Sequence, residues 1–238
     1  MSACLHDITL DIAVDIWRVA LDQPRHALAG LRQTLSAAER ERCGALHNST
    51  DRERRTVAYA ALRQILAGAM RMPAASLQIV RDPAGKPHLA DVDGGEEMHF
   101  NLAHSADLGL IAVGHGAAIG IDVEAVVARD AVESLIAALT SPEEAAALQI
   151  ADDDLLSAFY RLWTRKEAYV KATGAGLSVR LADIAVEIGD QPAFVRLPGD
   201  NPAAWSLIHL EPAPGYIGAL AVRRPEIVAS LRTWDPTF

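Results

Sequence analysis

The chain has 238 residues, half of them hydrophobic, and a formal net charge of −9. This length admits one large domain or two modest ones around a substantial core, and the acidic balance argues against a general nucleic-acid binder. No stretch is long and apolar enough to span a bilayer, Met1 to Asp7 lack the basic start and apolar run of a secretory signal, and Cys4 and Cys43 give no disulfide framework, so a cytoplasmic protein is expected.

Along the first half, Ile8, Leu10, Ile12, Val14 and Ile16 alternate with other residues, which predicts a strand from Ile8 to Val19. Ser36-Ala37-Ala38-Glu39 is a capping box that opens a helix. A longer helix is predicted from Asp51 to about Met70. Arg40, Arg42, Arg52, Arg54, Arg55, Arg63 and Arg71 fall in this stretch among Glu39, Glu41 and Glu53. On charge alone they read as a solvated helix face rather than a phosphate site. A strand at Leu77 to Val80 leads to a turn from Asp82 to Pro87. Phe100 to His104 then leads through Ser105 to Asp107 into a strand at Leu108 to Val113.

The same order returns about 105 residues later. It runs through a strand from Ile119 to Val126 and a second capping box, Ser141-Pro142-Glu143-Glu144, with Pro142 at the first helical position. A helix from Asp153 to about Thr173 stops at Gly174. Ile184 to Ile188, Trp205 to His209 and Tyr216 to Val222 read as strands. The expectation is a pseudo-duplicated α+β fold. Its two similar halves, 1–115 and 116–238, are each a small antiparallel sheet packed with a long helix, and the active site lies in the cleft between them.

Two segments carry chemistry. In Gly120-Ile121-Asp122-Val123-Glu124 the strand period places both carboxylates on one face. Hard oxygens side by side suit magnesium, although an isolated D-x-E is more often a wet acidic face. In the second helix Leu155, Phe159, Leu162, Trp163, Tyr169 and Val170 form an apolar arc, with Lys166 near its middle, where an ammonium needs a partner. Glu167 sits at the edge of that arc and Lys171 one turn beyond. They read either as an i,i+4 salt bridge worth a few tenths of a kcal/mol or as a carboxylate and an ammonium on the rim of a cleft. Periodicity alone does not choose between these.

Taken together, G-I-D-V-E and, about forty residues later, W-T-R-K-E-A-Y-V-K resemble the paired signature of the 4'-phosphopantetheinyl transferase superfamily. Gly85-Lys86-Pro87 and Asn101-Leu102-Ala103-His104-Ser105 resemble that family's GKP turn and its N-x-S-H-S segment. The length and two-halved layout resemble its larger monomeric type, the surfactin-synthetase-activating type.

The resemblance implies transfer of phosphopantetheine from coenzyme A to a serine of an apo acyl or peptidyl carrier protein of polyketide, nonribosomal peptide or fatty acid biosynthesis. It implies that Asp122, Glu124 and Glu167 ligate magnesium and that Lys171 holds a phosphate. Arg55 and His104 would meet the phosphates of coenzyme A, with Lys86 and Pro87 along its adenine and ribose. Ala103 stands where the family often has serine, which leaves its backbone N–H as the donor. Glu167, or a water held through the metal at Glu124, would take the serine proton. The alternative is a non-catalytic module that binds carrier proteins or coenzyme A, and the presence of all three carboxylates weighs against it.

Overall fold

The structure, a computed structural model, describes residues 12–90, 97–148 and 154–236. The start of the first predicted strand, Ile8 to Asp11, lies outside them. β1 (Ile12–Ala20) is followed by helices α1 (Arg25–Thr34), α2 (Ala37–Gly44) and α3 (Ser49–Met70). A small hairpin, β2 (Ile79–Arg81) and β3 (Pro87–Leu89), precedes the long strands β4 (Met98–Ser105) and β5 (Leu108–His115). The second half opens with β6 (Ile119–Ala125). It continues through α4 (Val132–Leu139), α5 (Pro142–Leu148), α6 (Leu155–Thr173), the short pair β7 (Ala185–Val186) and β8 (Phe194–Arg196), then β9 (Ser206–Leu210), β10 (Tyr216–Val222) and β11 (Ile227–Thr233). No described helix is long and apolar enough to cross a membrane.

The layers follow from the alternation in the strands. Val19, Ile111 and Val113 face α3, where they meet Val57, Ala61 and Leu66. Their neighbours Val14, Ile16, Leu110 and Ala112 face the other way and meet Ile119, Ile121, Val123, Leu220 and Val222 of the second sheet. That sheet in turn buries Ala219 and Ala221 against Leu162, Ala168 and Tyr169 of α6. The order is therefore helix, sheet, sheet, helix. Leu155 falls outside the expected apolar arc: it is 41% exposed, at the first position of α6 next to its cap Asp154.

The second sheet, in the order β6-β10-β9, is antiparallel. The first has the order β11-β1-β5-β4, and its β1–β11 pair is parallel, with Ile16 opposite Leu231. The C-terminal strand thus crosses back over the division expected after residue 115 and lines the outer edge of the first sheet.

The duplication extends to one buried construction made twice. In α2's capping box, Glu39 accepts from the Ser36 N–H and also holds Arg63 of α3, Oε2 to Nε 2.6 Å. In the second box, Glu144 accepts from the Ser141 N–H and holds Lys166 of α6, Oε2 to Nζ 2.7 Å. Lys166 also donates to the carbonyls of Leu139 (2.6 Å) and Leu181 (3.1 Å), so the ammonium in the apolar arc is fully partnered. Both acids serve a helix start and a buried cation at once.

Two contacts bring the halves edge to edge. Asn101 Oδ1 accepts from the Ile121 N–H (2.9 Å), and Ser105 Oγ accepts from the Ala125 N–H (3.1 Å), so β4 and β6 run alongside each other in the same direction. On the far side of β6, α6 comes so close that a Cβ on Gly120 would sit 2.0 Å from the Ala168 carbonyl oxygen. That approach carries Glu167, the neighbour of Ala168, to the strand bearing Asp122 and Glu124.

Candidate active site

Asp122 lies in the middle of β6 and is 4% exposed. Its Oδ1 is 2.6 Å from Lys171 Nζ, while its buried Oδ2 has no partner among the described residues. Burial pushes the Asp122 carboxyl up to about 7; Lys171 opposes this, and the charges of Glu124 and Glu167 add to it. Burial likewise raises the Glu167 carboxyl, with Lys171 opposing and Glu124 adding. The three acids and one ammonium therefore share one electrostatic neighbourhood, in which Lys171 reaches across from α6 to β6. Glu124 is held separately: Ser105 Oγ donates to its Oε2 at 2.7 Å.

Among the described residues no group of three or more His, Cys, Asp or Glu side chains stands in a metal-binding arrangement. The donor set is nonetheless of the kind a hard cation takes, and an ionisable oxygen buried without a partner is otherwise costly.

On the other face of β4, a cavity of about 500 Å³ opens between α3 and the β2–β3 hairpin. Arg42, Arg55, Tyr59, Arg81, Pro87 and His104 line it. Glu39 also lines it but already holds Arg63, so the three guanidiniums leave a lining suited to negative charge. Arg42 lies 5.9 Å from the Tyr59 ring centroid, and its buried Nε has no hydrogen-bond partner among the described residues. Desolvation, then the positive charges of Arg55 and Lys171, hold the His104 imidazole below its usual range. His104 feels Lys171 and Glu124 as well as Arg55, so cavity and carboxylates adjoin at the end of β4.

The structure therefore brings Arg55, Pro87 and His104 together on one side of β4 and Asp122, Glu124, Glu167 and Lys171 together on the other. Two of the singled-out side chains point away from this cavity. Lys86 turns away from the cavity and donates to the carbonyls of Ala172 (2.6 Å) and Ile119 (3.3 Å), tying the GKP turn to the end of α6 and the start of β6. Burial lowers its ammonium from the ordinary value. Ala103 is 4% exposed, with its side chain in the apolar layer between the sheets. The strand period decides this, since His104 takes the cavity face and its neighbour must take the other.

No local sequence pattern gives Arg42, Tyr59, Arg81 or Ser105 a role of its own. Arg42 sits inside the arginine-rich stretch that charge alone assigned to solvent. Ser105 shares a strand face with Asn101, which was the available signal.

What fold and site define is an α+β protein of two like halves whose carboxylate cleft adjoins a guanidinium-lined cavity. A family model described as "4'-phosphopantetheinyl transferase, N-terminal" matches residues 20–115, and one described as "4'-phosphopantetheinyl transferase superfamily" matches residues 118–221. The 4'-phosphopantetheinyl transferase HetI of Nostoc sp. is 35% identical over 211 residues, covering 88% of this chain and 87% of the relative. A 4'-phosphopantetheinyl transferase of Bacillus subtilis is 30% identical over 196 residues, 76% of this chain and 85% of the relative. The 4'-phosphopantetheinyl transferase Sfp of Bacillus subtilis is 25% identical over 194 residues, 81% of this chain and 84% of the relative. The chain belongs to the 4'-phosphopantetheinyl transferase superfamily, in its larger two-domain type.

Proposed function

We propose that the protein transfers the 4'-phosphopantetheine group of coenzyme A to a serine of an apo acyl or peptidyl carrier protein, releasing adenosine 3',5'-bisphosphate. The observation that carries this reading is the junction at β4. An arginine-lined cavity of a size suited to a nucleotide meets a cleft where Lys171 lies among three carboxylates, so a nucleotide pyrophosphate would find guanidiniums at one end and, at the other, an ammonium together with acids of the kind that hold a hard cation.

In this reading residues 1–115 supply the nucleotide contacts and 116–238 the cation and phosphate groups. Arg55, with Arg42 and Arg81, takes the 3'-phosphate, and Pro87 lies along the nucleoside. His104 hydrogen-bonds phosphate oxygens at the junction. Lys86 serves as a tie between the halves, and Ala103 offers at most its main chain. Lys171, whose side chain is 30% exposed, reaches the pyrophosphate. Asp122, Glu124 and Glu167 hold magnesium, which when bound supplies positive charge against that developing on the pyrophosphate. Glu167 takes the proton of the attacking hydroxyl. Transfer of this kind rests on positioning and charge neutralisation more than on covalent help. The protein acts as a cytoplasmic monomer.

Incubation of an apo carrier protein with coenzyme A and magnesium, followed by mass spectrometry, tests the proposal. A carrier gaining one phosphopantetheine on serine is expected, with chelator abolishing the gain. Unmodified carrier across a panel of carrier types would favour the binding-module alternative.

A further inference from the structure

We infer that Ser105 is a positioning residue for Glu124, through which the first half of the chain sets the cation site of the second. The inference rests on the transferase reading and adds to it a residue that does not itself touch substrate. A serine hydroxyl has one hydrogen to give and lone pairs to receive. The Ala125 N–H can only donate, and it does so to Ser105 Oγ at 3.1 Å. The single Ser105 hydrogen is thus committed to Glu124 Oε2, 2.7 Å away, the short distance typical of a hydroxyl on a carboxylate.

Both partners of Ser105 belong to β6, while Ser105 ends β4, so the contact spans the seam between the sheets. Asn101, on the same face of β4, makes the matching contact four residues earlier, two repeats of the pleat, at Ile121. The two side chains bracket Asp122 from the neighbouring strand. They stand where a ladder would otherwise run, and only Ser105 contacts an acid of the cleft. A hydroxyl that fixes one carboxylate oxygen aims the carboxylate as a whole. Outer partners of this kind cost on the order of 10-fold to 100-fold in metal affinity when removed.

The test compares wild type, Ser105→Ala, Ser105→Thr and Glu124→Gln by calorimetric titration with manganese alone, and by the magnesium dependence of transfer to an apo carrier. Ser105→Ala is expected to weaken manganese binding by on the order of 10-fold and to raise the half-saturating magnesium by a similar factor. The KM for coenzyme A at saturating metal and the melting temperature should change little. Ser105→Thr keeps the hydroxyl and should restore the affinity. In the Glu124→Gln background Ser105→Ala should add little, because the hydroxyl acts through Glu124.

Unchanged metal affinity in Ser105→Ala overturns the inference. So does a loss that persists with threonine, or one that adds in full on top of Glu124→Gln. If the alanine variant melts early, the threonine variant and the double variant still decide. Wild type that binds manganese yet modifies no carrier would sink the transferase reading while leaving the role of Ser105 to the titration.

Discussion

Lys171 Nζ lies 2.6 Å from Asp122 Oδ1, so the last turn of the signature helix is pinned to the middle of β6 rather than to its own i,i−4 neighbour Glu167. The ammonium offsets part, and only part, of the cost of burying that carboxyl. Of the two readings the sequence left open for Glu167 and Lys171, the ordinary helix-surface pair is not the contact made.

The Asp122 carboxyl, held up at about 7 against an ordinary 3.8, gives a pH-dependent stability. The fold favours its neutral form. Ionisation therefore costs stability that is absent below the unfolded pKa, grows as pH rises, and is complete above the folded one. In chelator, Asp122→Asn should melt above wild type near pH 8 by a few degrees, about 2–4 °C for each kcal/mol. The gap should close as pH falls through 7 towards 4. A gap that stays constant across that range would contradict the assignment.

Lys171→Met removes one well-placed donor for the pyrophosphate and should lower the single-turnover rate by about 10²–10³-fold. Melting in chelator should move far less, because Asp122 can remain protonated. Reversing the charges of both Glu167 and Lys171 should not restore transfer, since Lys171 is partnered on β6. Recovery in the double variant would demote both residues to scaffold.

Arg55→Ala should weaken coenzyme A binding with a smaller effect on the rate at saturation, because the 3'-phosphate lies away from the reacting phosphorus. Dephospho-coenzyme A should be nearly indifferent to the change. Transfer kinetics with both substrates measure this, and equal losses for both would remove Arg55 from the phosphate site.

Lys166→Met leaves Glu144 as an unpaired buried acid and strips two carbonyls of their donor, which should cost about 3–5 kcal/mol. Adding Glu144→Gln should cost less than the sum of the singles. Denaturant unfolding reads both. Strict additivity would show that the pair does not act as a unit.

Much of this protein could be read locally. The two capping boxes, the helices they introduce and the strand at Ile119 are set by contacts between residues three or four apart, or by alternation within one segment. The D-x-E carboxylates share a face because the strand period leaves no other option. Arg55 and His104 entered through a motif resemblance, and the cavity that they share with Pro87 lay beyond reach of any local pattern.

Tertiary structure decided what distance along the chain concealed. The partial exposure of Ile227 to Thr233 blurs any core pattern, and β11 has its place only because β1 offers it an edge. Lys86 reads from its motif as a ligand contact, and only the tertiary structure shows its ammonium donating to carbonyls at the end of α6 and the start of β6. Lys166 looked costly in an apolar arc because its acid lies in another helix. Gly120 is the hinge between the two levels. Nothing in its neighbours demands a glycine, yet only the absence of a Cβ lets α6 lie against β6 and set Glu167 beside Asp122 and Glu124. Local sequence determines which way a side chain points along its own backbone, whereas its partner is chosen by how the sheets and helices close, because charge and steric contact act through space rather than along the chain.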